Sequence, residues 1–204
     1  MAETPIFTPM PRSASRAFAL PNLLTYARIL AVPTLVLAYY VESYTGRWLS
    51  LLIFLVACIT DFFDGYLARV WQQQSAIGRL LDPIADKLLV ATSLILLASD
   101  GTIGDWSLLA AIVILTREIF VSGLREFLAE LRVSVPVTKL AKWKTTIQLV
   151  AIGFLLAGEA GDQVVPVVTQ IGLLLLWISA IFTIYTGYDY FRAGIHHLIK
   201  EDEG

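Results

Sequence analysis

The sequence predicts an all-α, polytopic membrane protein, with six transmembrane helices around a polar cavity that faces the cytoplasm. Three observations carry that prediction. The chain is apolar as a whole: 57% of its 204 residues are hydrophobic and 16% are charged, against about 45–50% and about 25% in soluble domains. Its apolar residues come in long runs, not in the one-sided stripes of a soluble helix. Lys and Arg fall almost entirely on one side of the membrane that those runs imply.

The helices are read in order at Asn22–Tyr40, Trp48–Trp71, Leu80–Ala98, Trp106–Ala129, Trp143–Ala157 and Val164–Arg192. Several reach the roughly 20 residues needed to cross the hydrocarbon. The first follows Pro21, where Asn22 suits a helix cap. Trp48 and Trp71 mark the two ends of the second, and Trp106 and Trp143 mark the starts of the fourth and fifth, as an aromatic belt would. The fifth is short, and a start within Thr138–Lys142 would lengthen it. No internal repeat is visible. The domain organisation expected is an N-terminal cytoplasmic segment at 1–20, one six-helix domain at 21–192, and a polar cytoplasmic tail at 193–204. Within the first segment, Ser13–Leu20 mixes Arg16 with Phe18 and Leu20, and suits either a short interfacial helix or a disordered tail. His196 and His197 lie in the charged tail, where metal binding is not expected.

With the N-terminus in the cytoplasm, Arg12, Arg16, Arg28, Arg69, Arg79, Lys87, Arg117, Arg125, Arg132, Lys139, Lys142, Lys144, Arg192 and Lys200 lie on or toward the cytoplasmic side, and only Arg47 lies outside. The outer loops carry Glu42, Asp100, Asp105, Glu159 and Asp162 instead. This bias predicts a multi-pass protein of the plasma or inner membrane with both termini inside. The one cysteine, Cys58, excludes a disulfide framework. The first apolar run begins late and no small-x-small cleavage site follows it, so it is expected to remain as a helix.

Four carboxylates interrupt this apolar sequence: Asp61, Asp64, Asp82 and Asp86. Charge inside a membrane is costly and persists mainly where it has a function. Counting inward from the outer loops at about 1.5 Å per residue, Arg28, Asp61, Asp86 and Arg117 reach nearly one level, roughly 16–20 Å from the outer face. Asp64, Asp82, Lys87 and Glu118 fall close to it. Asp61 and Asp64 are i,i+3, and Asp82 and Asp86 are i,i+4, so each pair projects from one side of its helix. Two facing carboxylate pairs repel unless cations lie between them. All-oxygen ligands suit Mg²⁺, Mn²⁺ or Ca²⁺ rather than zinc, and four carboxylates can hold two such ions. The plainer alternative is a structural network in which Arg28, Arg69 and Arg117 pair with the acids.

Written as a pattern, Asp61, Asp64, Gly65, Ala68, Arg69, Gly78, Asp82 and Asp86 give D-x2-D-G-x2-A-R-x8-G-x3-D-x3-D. This octet resembles the signature of the CDP-alcohol phosphotransferases, with every specified position present. Pro21–Ile29, Arg117–Glu126 and Lys139–Gln148 are similar to segments of its glycerol-phosphate branch, the bacterial phosphatidylglycerophosphate synthases. Ala141 stands where that branch usually has Gly. A weaker likeness covers Tyr185–Phe191.

The resemblance implies a reaction, in which CDP-diacylglycerol gives its phosphatidyl group to sn-glycerol 3-phosphate and releases CMP. It implies that Asp61, Asp64, Asp82 and Asp86 hold two ions, Mg²⁺ or Mn²⁺, with Asp82 and Asp86 catalytic and Asp86 as base on the acceptor hydroxyl. A nearby dication depresses a carboxylate's pKa, so proximity rather than basicity would do most of that work. Asn22, Thr25, Asp61, Gly65, Ala68, Arg69 and Gly78 are the expected contacts of CDP-diacylglycerol. Helix capping and close helix packing are the alternatives for Asn22, Thr25, Gly65 and Ala68. The phosphate of the acceptor needs cations, for which Arg117, Arg125, Lys139, Lys142, Lys144 and Arg28 are the candidates. The alternative for Arg117 is a salt bridge to Glu118 or a metal-site Asp, and the three lysines could touch anionic headgroups. Homodimerisation is expected from the family, and no nucleic-acid partner is. Another acceptor (inositol phosphate, serine or phosphatidylglycerol) is the main alternative. An ion-coupled transporter is the distant one.

Overall fold

The structure, a computed structural model, describes residues 20–70, 76–130 and 139–202. Within them, the side chains of 20, 21, 64–70, 76, 77, 79, 130, 139, 141, 142, 189 and 193–202 fall outside the description. Six helices fill the described chain: α1 (Leu20–Tyr39), α2 (Tyr44–Val70), α3 (Ala76–Ser99), α4 (Ser107–Glu130), α5 (Lys139–Asp162) and α6 (Val168–Asp202). No strand occurs among the described residues.

The helices stand where the apolar runs place them, but several are longer. α2 begins at Tyr44, ahead of Trp48, and α3 begins at Ala76, so Gly78 lies inside a helix rather than in a loop. The first turns of α3 are polar, and hydropathy alone does not mark them. α5 takes in Lys139–Lys142 and runs on to Asp162, while α6 continues to Asp202 through the stretch read as a tail. Ser13–Leu20, read as either an interfacial helix or a tail, lies almost wholly outside the described residues.

Among the described residues, four helices are long and apolar enough to cross a membrane, over Asn22–Tyr39, Tyr44–Phe63, Ser107–Ala129 and Val168–Arg192. Their length and apolarity are those of membrane-spanning helices. α3 and α5 fall outside that measure. They carry Asp82, Asp86 and Lys87 (α3) and Lys144 and Glu159 (α5), charges that lower the apolarity of any window through them.

α5 and α6 pack along each other, α1 lies against α2 and α3, α2 against α5, and α4 mainly against α6. α3 and α4 touch only sparsely. Each helix gives a fully buried residue to one core: Leu35, Phe54, Leu94, Ile114, Leu155 and Leu176. On α1, α3, α5 and α6 that residue lies nearer the connections at 40–43, 100–106 and 163–167 than the buried polar residues do, whereas on α2 Ser50, bonded to the Gly46 carbonyl, lies nearer than Phe54. The bundle is therefore divided along its length into an apolar half and a polar half.

One cluster ties the apolar end together. Arg47 of α2 pairs with Asp100 and donates to Thr102 Oγ1 (2.8 Å), and its guanidinium stands 5.0 Å from the Tyr39 ring. Tyr39 in turn donates to Asp100. Gly158, at φ 45° and ψ −132°, kinks α5 beside this group. A Cβ there would meet Arg47 Nη1 at 3.2 Å. The backbone angle disfavours any side chain, and a Cβ would press on the tip of the arginine. Gly158→Ala is expected to lower stability by about 1–3 kcal/mol. Thermal unfolding in detergent checks this, and an unchanged midpoint would contradict it.

Candidate active site

The polar half is organised around α1. Asn22, Thr25 and Arg28, at helical spacing, are all but fully buried. Arg28 Nη1 lies 2.7 Å from Asp61 Oδ1 on α2 and 2.8 Å from Asp86 Oδ1 on α3. Two oxygens that share one nitrogen are necessarily close to each other. Thr25 donates to Asp82 Oδ1. Three of the four carboxylates thus converge on one helix face from two neighbouring helices, at the common level that residue counting gives.

The donor set is all oxygen, and it suits a hard dication. Asp61 and Asp86 each spend Oδ1 on Arg28, yet their side chains stay 43% and 50% exposed. Asp64, one turn from Asp61, lies among the side chains outside the description, as do Gly65, Ala68 and Arg69. Among the described residues, no three His, Cys, Asp or Glu side chains group closely enough to hold a metal ion. Gly78 is buried in the first turn of α3.

A cavity of about 480 Å³ opens between α3 and α4, closed on one side by α5. Asp86 lies on its wall, so this carboxylate belongs to both the cluster and the cavity. Arg117 and Arg125 line the opposite face together with Glu118, Ser122 and Glu126. These positions follow helical spacing along α4. Arg117 Nη2 donates to Thr186 Oγ1 (3.1 Å), and Nη1 stands 3.7 Å from Glu118 Oε1. Lys144 is buried with its ammonium bonded to Glu118. Lys139 and Lys142 fall outside the described side chains. Arg28 sits in the carboxylate cluster rather than on the cavity wall.

Sequence reasoning did not assign Lys87, Ser122, Thr145 or Gln148 to the site, and all four line the cavity. Their spacing held the signal: Lys87 follows Asp86 directly, Ser122 lies one turn from Glu118, and Thr145 and Gln148 are i,i+3 on α5.

A family model described as CDP-alcohol phosphatidyltransferase matches residues 18–185, which span all of the residues above except Thr186. The chain belongs to that family. Among its relatives in this family, a protein of Rickettsia bellii is 47% identical over 174 residues, covering 85% of this chain and 94% of its own. One from Pectobacterium atrosepticum is 40% identical, covering 90% and 98%, and one from Cereibacter sphaeroides is 38% identical, covering 90% and 99%. All three are named CDP-diacylglycerol–glycerol-3-phosphate 3-phosphatidyltransferase. In this member of the family, the carboxylate cluster and the cavity meet at Asp86.

Proposed function

We propose that this protein is a membrane enzyme that transfers the phosphatidyl group of CDP-diacylglycerol to sn-glycerol 3-phosphate, giving phosphatidylglycerol phosphate and CMP. The observation that carries this reading is the place of Asp86. It shares Arg28 with Asp61 on one side, and on the other it faces a cavity whose far wall holds Arg117 and Arg125. The relatives' names supply the two substrates.

Asp61, Asp64, Asp82 and Asp86 are the residues that would hold divalent cations, Mg²⁺ or Mn²⁺. Such ions, when bound, would neutralise the diphosphate of the donor and the departing CMP. In the cavity, Arg117 and Arg125 take the acceptor phosphate, with Lys139, Lys142 and Lys144 supplying positive charge nearby. Arg28 neutralises the carboxylate cluster and keeps Asp61 and Asp86 together. Asn22, Thr25, Gly65, Ala68, Arg69 and Gly78 border the nucleotide. The acceptor hydroxyl oxygen bonds to the β-phosphorus, the bond from that phosphorus to the CMP oxygen breaks, and Asp86 receives the hydroxyl proton. CMP leaves as the second phosphate ester. An acceptor panel of glycerol 3-phosphate, serine, inositol phosphate and phosphatidylglycerol tests the acceptor, each with and without Mg²⁺ or Mn²⁺. Metal-dependent CMP release with glycerol 3-phosphate alone is expected, and turnover with another acceptor would replace the substrate assignment.

All six helices are taken to span the plasma membrane, with 21–192 as the catalytic domain and both termini and the active site cytoplasmic. The charge bias supports this orientation. So does Arg47, the lone outer cation, which lies paired with Asp100. Homodimerisation, implied by the resemblance, is part of the proposal.

An apolar groove of about 580 Å³ runs between α2 and α5, past Trp48, Leu55, Gly153 and Phe154 to Cys58, one turn from Asp61. We assign it to the acyl chains of the donor. Gly153→Leu, which narrows the groove, is expected to raise KM for long-chain CDP-diacylglycerol about tenfold and leave KM for glycerol 3-phosphate unchanged. Equal changes in both constants would contradict the assignment.

A further inference from the structure

Among the described residues, none of α6 lines the cavity, yet three residues of α6 hold Arg117 in place. Thr186 Oγ1 lies 2.8 Å from the Phe182 carbonyl oxygen and 3.1 Å from Arg117 Nη2. A hydroxyl has one proton, and here the carbonyl takes it, so a lone pair faces the guanidinium. Thr186 is buried, so this acceptor does not compete with water. Beside it, a Cβ on Gly187 would stand 3.2 Å from Arg117 Cγ and 3.6 Å from Nε. The arginine stem therefore lies against bare backbone. Tyr190, also buried, presents its ring 5.9 Å from Arg117 Cζ, within cation–π range. The three positions share one face of α6 and form a seat behind the arginine.

We propose that Thr186, Gly187 and Tyr190 are positioning residues for the acceptor: they brace Arg117 from the side away from the cavity and aim its guanidinium at the space shared with Asp86. α6 thereby sets the affinity for a phosphorylated acceptor without touching it. A long cation left unbraced keeps its charge but loses its direction, and a phosphate is recognised by directed N–H donors as well as by charge. The inference deepens the assignment of Arg117 to the acceptor phosphate and rests on it. It also separates two kinds of side chain at the site, those that touch the anion and those that hold the one that does.

Steady-state kinetics of the full-length enzyme in detergent test it, with Thr186→Val, Thr186→Ser, Arg117→Ala and the double variant Thr186→Val/Arg117→Ala. Thr186→Val is expected to raise KM for glycerol 3-phosphate about fivefold, the worth of one ordinary hydrogen bond, with KM for CDP-diacylglycerol unchanged. Thr186→Ser, which keeps the hydroxyl, is expected to restore the acceptor constant. In the Arg117→Ala background, adding Thr186→Val is expected to change kcat/KM for the acceptor no further. Should Thr186→Val not be recovered folded, Gly187→Ala carries the test, because its methyl displaces the arginine stem and should raise the same constant. An unchanged acceptor KM, an equal rise for both substrates, or a full additional loss in the Arg117→Ala background would overturn the inference. If Arg117→Ala itself leaves the acceptor constant unchanged, the phosphate assignment of Arg117 fails instead, and the two failures are told apart.

Discussion

Replacing Asp86 by Asn is expected to cut CMP release about a thousandfold while leaving the protein folded. Asn keeps a carbonyl oxygen that can accept from Arg28, and Arg28 retains Asp61 at 2.7 Å. The cluster should therefore survive the loss of charge. The substitution removes the group that receives the acceptor proton and one of the four carboxylates proposed to hold the metal. Both effects fall on turnover. Thermal unfolding close to wild type, together with lost CMP release, would tie Asp86 to the chemistry. Retained turnover would mean that another group receives the proton.

Arg117→Ala should act on a different constant. The side chain is mostly buried, held by Thr186 and Tyr190, and faces the cavity. Removing it should lower kcat/KM for glycerol 3-phosphate by roughly 3 kcal/mol, about a hundredfold, as is typical when one partner of a buried charge contact is truncated. The loss should be carried by KM, because phosphate binding is made in the ground state as well as in the transition state. KM for CDP-diacylglycerol should change little. A kcat effect with both KM values unchanged would contradict this and move Arg117 into the transfer step.

Much of this was legible in the sequence, for a simple reason. In a bundle of antiparallel spanning helices, residue number converts directly to depth, so Arg28, Asp61 and Asp86 could be placed at one level before any contact was known. The structure joins them through one nitrogen. Depth says nothing about rotation about the helix axis, and that is where the sequence fell short. Lys144, one of the cations proposed for the acceptor, turns its ammonium to Glu118, a pairing that residue counting does not reveal. Gln148 and Thr145 share the cavity face, but neutral side chains signal it only through their spacing. The bracing of Arg117 by Thr186 joins residues 69 positions apart, and no local pattern encodes it. Helix ends were blurred for another reason. The polar first turns of α3 and α5 look like loop to a hydropathy scan, although Ala76 and Lys139 already begin helices.

The division of the bundle into two halves also has a functional consequence. The apolar half holds one large core and is tied by Arg47, Asp100 and Gly158, so it can serve as a rigid base. The polar half spends its buried surface on Thr25, Arg28, Lys144, Gln148 and Thr186, whose partners are other polar groups or the cavity. Sites built on rigid elements keep their reacting groups close to productive geometry. The Gly158 substitution would therefore test whether damage at the base reaches the catalytic constants or only the unfolding midpoint.

The measurement that bears most directly on the central claim is a two-product assay in detergent with purified protein, CDP-diacylglycerol, Mg²⁺ or Mn²⁺, and labelled glycerol 3-phosphate. CMP released and label transferred to lipid are followed together, in the wild type and in Asp86→Asn. The account predicts one CMP for each labelled lipid in the wild type, and neither product above background in folded Asp86→Asn. Labelled lipid formed at the wild-type rate by Asp86→Asn, or CMP released with no label entering lipid, would contradict it.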